Sequence, residues 1–138
     1  MIDGDDQLVE AAKRAREFAI ADFSNFRVGA ALVSNDDAVF TGCNIENATY
    51  GLTVCAERVA MWKALSEGAR GFKRIAVVAD TEKLTSPCGA CRQLIWEFCG
   101  DVPVVLANLR GDVEIYQMRD LLPRAFDATF LGKAEATR

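Results

Sequence analysis

Leu8, Ala11, Ala12, Ala15 and Phe18 recur at helical spacing near the start of the chain and predict an amphipathic helix over Asp6 to Ala21. Val28 to Val33 then reads as a buried strand. Asn35-Asp36-Asp37 makes a turn into a second strand, Ala38 to Cys43. From Asn44 to Val54 the chain is polar and irregular. A second helix begins near Cys55 and ends at Gly68, a residue suited to a helix C-terminus. The continuous apolar run Ile75 to Ala79 predicts a strand covered on both faces. Ser86 is placed to cap a third helix, with Pro87 at its first position and Gly100 as its stop. Two further strands, Val102 to Ala107 and Val113 to Gln117, flank a turn at Arg110-Gly111-Asp112. Met118 to Leu122 reads as a short helix, and a tail follows from Pro123. The order α-β-β-α-β-α-β-β predicts a single α/β layer domain spanning residues 1–138.

Composition narrows the class. Hydrophobic residues make up 51% and charged residues 26%, which favours a packed core over disorder. The formal net charge of −4 argues against a surface that tracks phosphates, so a small or uncharged substrate suits the chain better than nucleic acid. No apolar run approaches a membrane span, and Met1 to Asp6 does not resemble a secretory signal. A cytoplasmic protein is expected. Its five cysteines are an odd count, and clustered thiols in that compartment are read as metal ligands before disulfides. There is no histidine, so a metal site has only thiolates and carboxylates to draw on.

The candidate ligands are Cys55, Cys88 and Cys91. Cys88 and Cys91 are spaced C-x-x-C at a predicted helix start, and Cys55 stands at another, where the helix dipole favours thiolates. Zinc with three protein ligands keeps a fourth position for water, the mark of a catalytic site. The structural alternative needs a fourth ligand, for which Cys43 and Cys99 are the remaining thiols. Three thiolates leave the zinc centre net negative, and that charge must be offset. Arg58, and Gln93 from the third helix, are placed to donate to the sulfurs, although both also read as ordinary exposed polar residues. Glu57 is the candidate proton shuttle, with a surface charge as its plainer reading. A cysteine-ligated zinc site beside a non-ligand Glu is the zinc deaminase arrangement, which attacks C4 of cytosine or C6 of adenine.

With these residues assembled, the chain resembles the small, three-cysteine cytidine deaminases of pyrimidine salvage from about Phe23 to Phe126. The motifs that carry the likeness are Phe26-x-Val28-Gly29-Ala30-Ala31-Leu32, Gly42-Cys43-Asn44-Ile45-Glu46-Asn47-Ala48, Cys55-Ala56-Glu57-Arg58, Ser86-Pro87-Cys88-Gly89-Ala90-Cys91-Arg92-Gln93 and Leu121-Leu122-Pro123. The resemblance implies one zinc ion per chain and a three-layer α/β/α domain with a five-stranded mixed sheet. It implies that Asn44 and Glu46 bond the ribose hydroxyls, with loop capping as their structural alternative. Phe26 would pack on the pyrimidine ring, unless it is simply core, and Ala56 and Ser86 would offer backbone groups to the base edge. It also implies a homotetramer with shared active sites, in which Ala48, Tyr50 and Phe126 reach a neighbour's substrate.

Two positions depart from the family's usual pattern: Phe23 stands where Tyr is common, and Arg27 where Pro is frequent. Strand alternation turns Arg27 away from the face of Phe26 and Val28. The expected reaction is hydrolysis of cytidine and deoxycytidine to uridine and deoxyuridine with release of ammonia. The competing readings are a deaminase of modified cytosine nucleosides (blasticidin-type or N4-substituted), a polynucleotide editing deaminase and a non-enzymatic zinc module.

Overall fold

Alternation along the strands divides the buried side chains between two cores. In the computed structural model, which describes residues 4–134, strands β1 (Val28–Ser34), β2 (Val39–Cys43), β3 (Phe72–Ala79), β4 (Pro103–Ala107) and β5 (Val113–Gln117) form one sheet in the order β2-β1-β3-β4-β5. Ala31, Val33, Ala76, Val78, Val105 and Ala107 face α1 (Asp5–Arg16). Their neighbours Ala30, Leu32, Ile75, Val77, Val104 and Leu106 face α2 (Ala56–Ser66) and α3 (Gly89–Cys99). The period of two thus produces the three α/β/α layers. Only β3 and β4 pair in parallel, across the connection that contains α3, and the other pairings are antiparallel. The sheet is therefore mixed, as the resemblance implied.

Two glycines set how closely helices approach the sheet. A Cβ on Gly29 would lie 2.0 Å from the Ala12 carbonyl oxygen of α1. One on Gly42 would lie 2.5 Å from both the Ala56 carbonyl oxygen and the Ala60 nitrogen of α2. Backbone-to-backbone contact of this kind excludes any side chain. At Gly42 it fixes the helix that carries Cys55 and Glu57 at its start.

Several boundaries differ from the sequence reading. The first helix ends at Arg16, five residues early, and Phe18 is 78% exposed. The reason is backbone pairing: Ile20 N–H donates to the Asn44 carbonyl at 3.0 Å and Glu46 N–H to the Ile20 carbonyl at 2.8 Å. Those bonds draw residues 19–21 out of the helix and beside the segment after β2. Strand β3 begins at Phe72, three residues early, because pairing with β1 continues to Ser34 opposite Phe72. Ser86 does not cap α3. Cys88 holds the N-cap position, Gly89 begins the helix, and the Ser86 hydroxyl accepts from Arg92 instead. The segment read as irregular contains a 3-10 turn at Tyr50–Leu52. Another, Ala128–Leu131, lies in the tail after α4 (Met118–Leu121). Residues 1–3 and 135–138 of the expected domain, and with them part of the N-terminal reading, lie outside the described residues.

Candidate active site

The starts of α2 and α3 meet. Cys55 and Cys88 are the N-cap residues of the two helices, both in extended backbone conformation, and neither thiol caps its own helix. Both sulfurs point instead to a shared centre, where Cys91 from the first turn of α3 joins them. The three Sγ atoms lie within 4.8 Å of one another, and among the described residues this is the one such group of potential metal ligands. Tetrahedral zinc with Zn–S bonds of about 2.3 Å requires sulfurs about 3.8 Å apart, so the cluster fits that ion. Among the described residues neither Cys43 nor Cys99 belongs to the group. The structural four-thiolate alternative therefore has no fourth sulfur here.

Protons are shared unequally among the thiols. Hydrogen bonds from Cys91 and then Arg58 bring Cys55 down to about 5, against the opposing effect of burial. Cys91 is pushed strongly up, first because its proton is held in the bond to Cys55 and then by burial. Arg58 Nη2 donates to Cys55 Sγ at 3.2 Å, placing a positive charge beside the sulfurs. Its Nε is buried without a hydrogen-bond partner among the described residues.

Gln93 requires a correction. Its Nε2 donates to the Phe126 carbonyl at 2.7 Å and not to a sulfur. Two residues beyond Cys91 on a helix is the far side, since positions i and i+2 do not share a face.

Glu57 is 4% exposed and lies in the first turn of α2. Burial raises its carboxyl to about 7, the neighbouring Cys55 thiolate adds to the rise, and Arg58 opposes it. A group poised there can both accept and release a proton near neutral pH.

A cavity of about 310 Å³ opens onto this centre. Cys55, Ala56, Glu57 and Cys88 form its floor, while Phe26, Asn44, Glu46 and Ser86 contribute walls. Its volume is at the small-ligand end of binding sites. A larger open groove of about 770 Å³ runs along β5, lined by Lys83, Arg92, Glu114 and Tyr116 among others, but carries no thiol. The chemistry belongs to the smaller cavity.

Asn44 and Glu46 are more committed to the protein than the sequence indicated. Asn44 Oδ1 accepts Val28 N–H at 2.8 Å, and its Nδ2 donates to the Phe26 carbonyl at 2.7 Å. One amide hydrogen and one lone pair remain for a ligand. Glu46 Oε1 accepts the N–H groups of Phe23 and Ser24 at 2.9 and 3.0 Å, and Oε2 accepts the Ser24 hydroxyl. These bonds hold its carboxyl below the usual range, the Ser24 hydroxyl first among them.

Ala48, Tyr50 and Phe126 are exposed and do not line the cavity of their own chain. Tyr50 meets Phe23 edge to face at 5.7 Å, and Phe126 stacks on Phe130 at 5.5 Å. Arg27 is exposed and outside the cavity walls, while its carbonyl accepts from Arg16. Ser24, Thr53 and Thr85 line the cavity without having been singled out.

The fold and site define a zinc-binding deaminase domain. The family model described as cytidine and deoxycytidylate deaminase zinc-binding region matches residues 3–107, and the chain belongs to that family. A cytidine deaminase of Sporosarcina psychrophila is 53% identical over 130 residues, covering 94% of this chain and 96% of the relative. One from Halalkalibacterium halodurans is 53% identical, covering 88% and 92%. The crystal structure of cytidine deaminase from Burkholderia pseudomallei superposes with a TM-score of 0.87 at 54% identity, covering 89% of this chain and 99% of that one.

Proposed function

We propose that this protein hydrolyses cytidine and deoxycytidine to uridine and deoxyuridine, releasing ammonia. The observation that carries the reading is a buried Glu57 beside three converging thiols, on the floor of a cavity whose walls present Phe26, Asn44 and Glu46. Relatives named cytidine deaminase, matched over nearly their whole length, support it.

Cys55, Cys88 and Cys91 would hold the zinc, which when bound would supply Lewis-acid chemistry that lowers the pKa of water. Arg58 offsets the charge of the thiolates. Glu57 takes the proton from water and delivers it to the pyrimidine ring nitrogen as the water oxygen adds to C4. The carboxylate then takes the remaining proton from the new C4 hydroxyl and delivers it to the amine, so that the C4 carbonyl forms as the C–N bond breaks and ammonia leaves, with one residue serving as base and acid in turn. Ala56 and Ser86 orient the base edge, Phe26 packs on the ring, and Asn44 and Glu46 take the ribose hydroxyls with the capacity their protein bonds leave.

We read residues 1–138 as one domain working in pyrimidine salvage in the cytoplasm, a setting that suits five free cysteines. Among the described residues no helix is long and apolar enough to cross a membrane. The working unit is a homotetramer in which Ala48, Tyr50 and Phe126 complete a neighbour's site. Their exposure on one chain supports that assignment.

Purified protein supplied with cytidine should release uridine and ammonia in equal amounts, with about one zinc per chain as expected for a three-thiolate site. A zinc-loaded protein that leaves cytidine and deoxycytidine intact would overturn the reading.

A further inference from the structure

Residues 23–26 are tied to the cavity wall at Glu46 in part by one hydroxyl. Ser24 Oγ donates its single proton to Glu46 Oε2 and accepts Phe26 N–H at 3.0 Å. The Ser24 N–H joins that of Phe23 on Glu46 Oε1. Asn25, between Ser24 and Phe26, has φ 58°, the left-handed turn that brings the hydroxyl back to the N–H two residues on. The Phe26 carbonyl is held in turn by Asn44 Nδ2 at 2.7 Å. Both backbone groups of Phe26 are therefore fixed by side chains that line the cavity.

We propose that Ser24 is a positioning residue for substrate specificity, setting the Phe26 ring and selecting which oxygen of Glu46 faces the sugar. The proposal rests on the reading that Phe26 and Glu46 contact base and ribose. A carboxylate oxygen offers about two acceptor sites. On Oε1 both are taken by backbone N–H groups, whereas Oε2 carries only the Ser24 hydroxyl and keeps one site open. The Ser24 proton is spent, so Glu46 presents an acceptor to the ligand and selects for a sugar hydroxyl that donates. Without Ser24 the Oε2 side of the carboxylate is unanchored and Phe26 N–H loses its acceptor.

The test compares cytidine with 2′,3′-dideoxycytidine, which has the same base and lacks both hydroxyl donors. S24A should raise KM for cytidine about tenfold while kcat stays within about twofold, because the lost interaction is made equally before and during reaction. KM for the dideoxynucleoside should rise by less, so that preference for cytidine narrows. S24T, which keeps the hydroxyl, should restore cytidine KM to within about twofold of the native value. Zinc content and the unfolding midpoint are read on each variant. An unchanged cytidine KM in S24A, or equal rises for both nucleosides, would overturn the proposal. E46Q separates the two levels. If it leaves the preference between the nucleosides unchanged, the ribose reading fails and this proposal with it. If E46Q narrows the preference and S24A does not, the positioning role alone fails.

Discussion

Glu57 is next but one to a zinc ligand and almost wholly buried, so its substitution separates chemistry from metal binding. Glu57→Gln keeps the shape and removes the proton transfer. Turnover of cytidine should fall by about 10²–10⁴-fold with zinc retained, and near-native uridine production by a zinc-loaded variant would remove Glu57 from the shuttle role. Arg58→Ala takes away the donor to Cys55 Sγ at 3.2 Å. A loss of about 10–100-fold in turnover or zinc affinity is expected, read by steady-state rates and by zinc competition with a chelating dye. At this scale the legible part of the sequence was local. Cys88 and Cys91 announce each other by spacing, and Cys55 announces Glu57 by adjacency. Gln93 misled because its position was judged in sequence and not around the helix. Ser24 stayed silent because its partner Glu46 is 22 residues away, joined by a contact that no local pattern encodes.

The elements carry these residues, and two glycines decide where the elements sit. Gly42→Ala forces a methyl group into the backbone of α2, and Gly29→Ala does the same to α1. Each should cost at least about 1–3 kcal/mol by overpacking, measured by denaturant unfolding. Below their melting temperatures the two variants should differ. Gly42→Ala displaces the helix that begins after Cys55 and should lose zinc and turnover, whereas Gly29→Ala displaces a helix without cavity residues and should keep its turnover per zinc. The connection from Ala19 to Arg27 behaves as a third element, tied down by Glu46. Because its bonds lower the Glu46 carboxyl below the ordinary 4.5, their contribution is fully present above that value and is lost as pH falls through the depressed one. The protection of the Phe23 and Ser24 amides, as exchange relative to the intrinsic rate at each pH, should therefore fall at acid pH, and Glu46→Gln should abolish that dependence; a pH-independent protection factor in the native protein would argue against the anchor. The helices and strands were readable from periodicity, but the end of α1 was not. Phe18 continues the helical pattern, and only the pairing of Ile20 with Asn44 and Glu46 removes it from the helix.

For the whole molecule, the exposed apolar surface is the informative quantity. Tyr50 is 74% exposed, Phe126 57% and Phe130 70%, and Leu52 and Leu131 beside them are as open. Exposed apolar side chains gathered in two short segments, Tyr50 with Leu52 and Phe126 with Phe130 and Leu131, mark contact surfaces more often than solvent-facing ones. None of these side chains lines the cavity of its own chain, whose walls include Phe26 and Glu46. The homotetramer proposed above gives both observations one cause, with the exposed rings of one chain covering the cavity of another. Mixing two inactive variants distinguishes this arrangement from a self-sufficient monomer. Glu57→Gln lacks the shuttle but retains Phe126, and Phe126→Ala retains the shuttle but lacks the ring. If Phe126 acts on a neighbour, subunits exchanged between the two form sites with a native Glu57 from one chain and a native Phe126 from the other, and cytidine turnover returns. If each chain supplies its own ring, every site in the mixture stays defective and exchange restores nothing. The same samples followed by light scattering should show four chains per particle, and activity that persists in isolated monomers would refute shared sites.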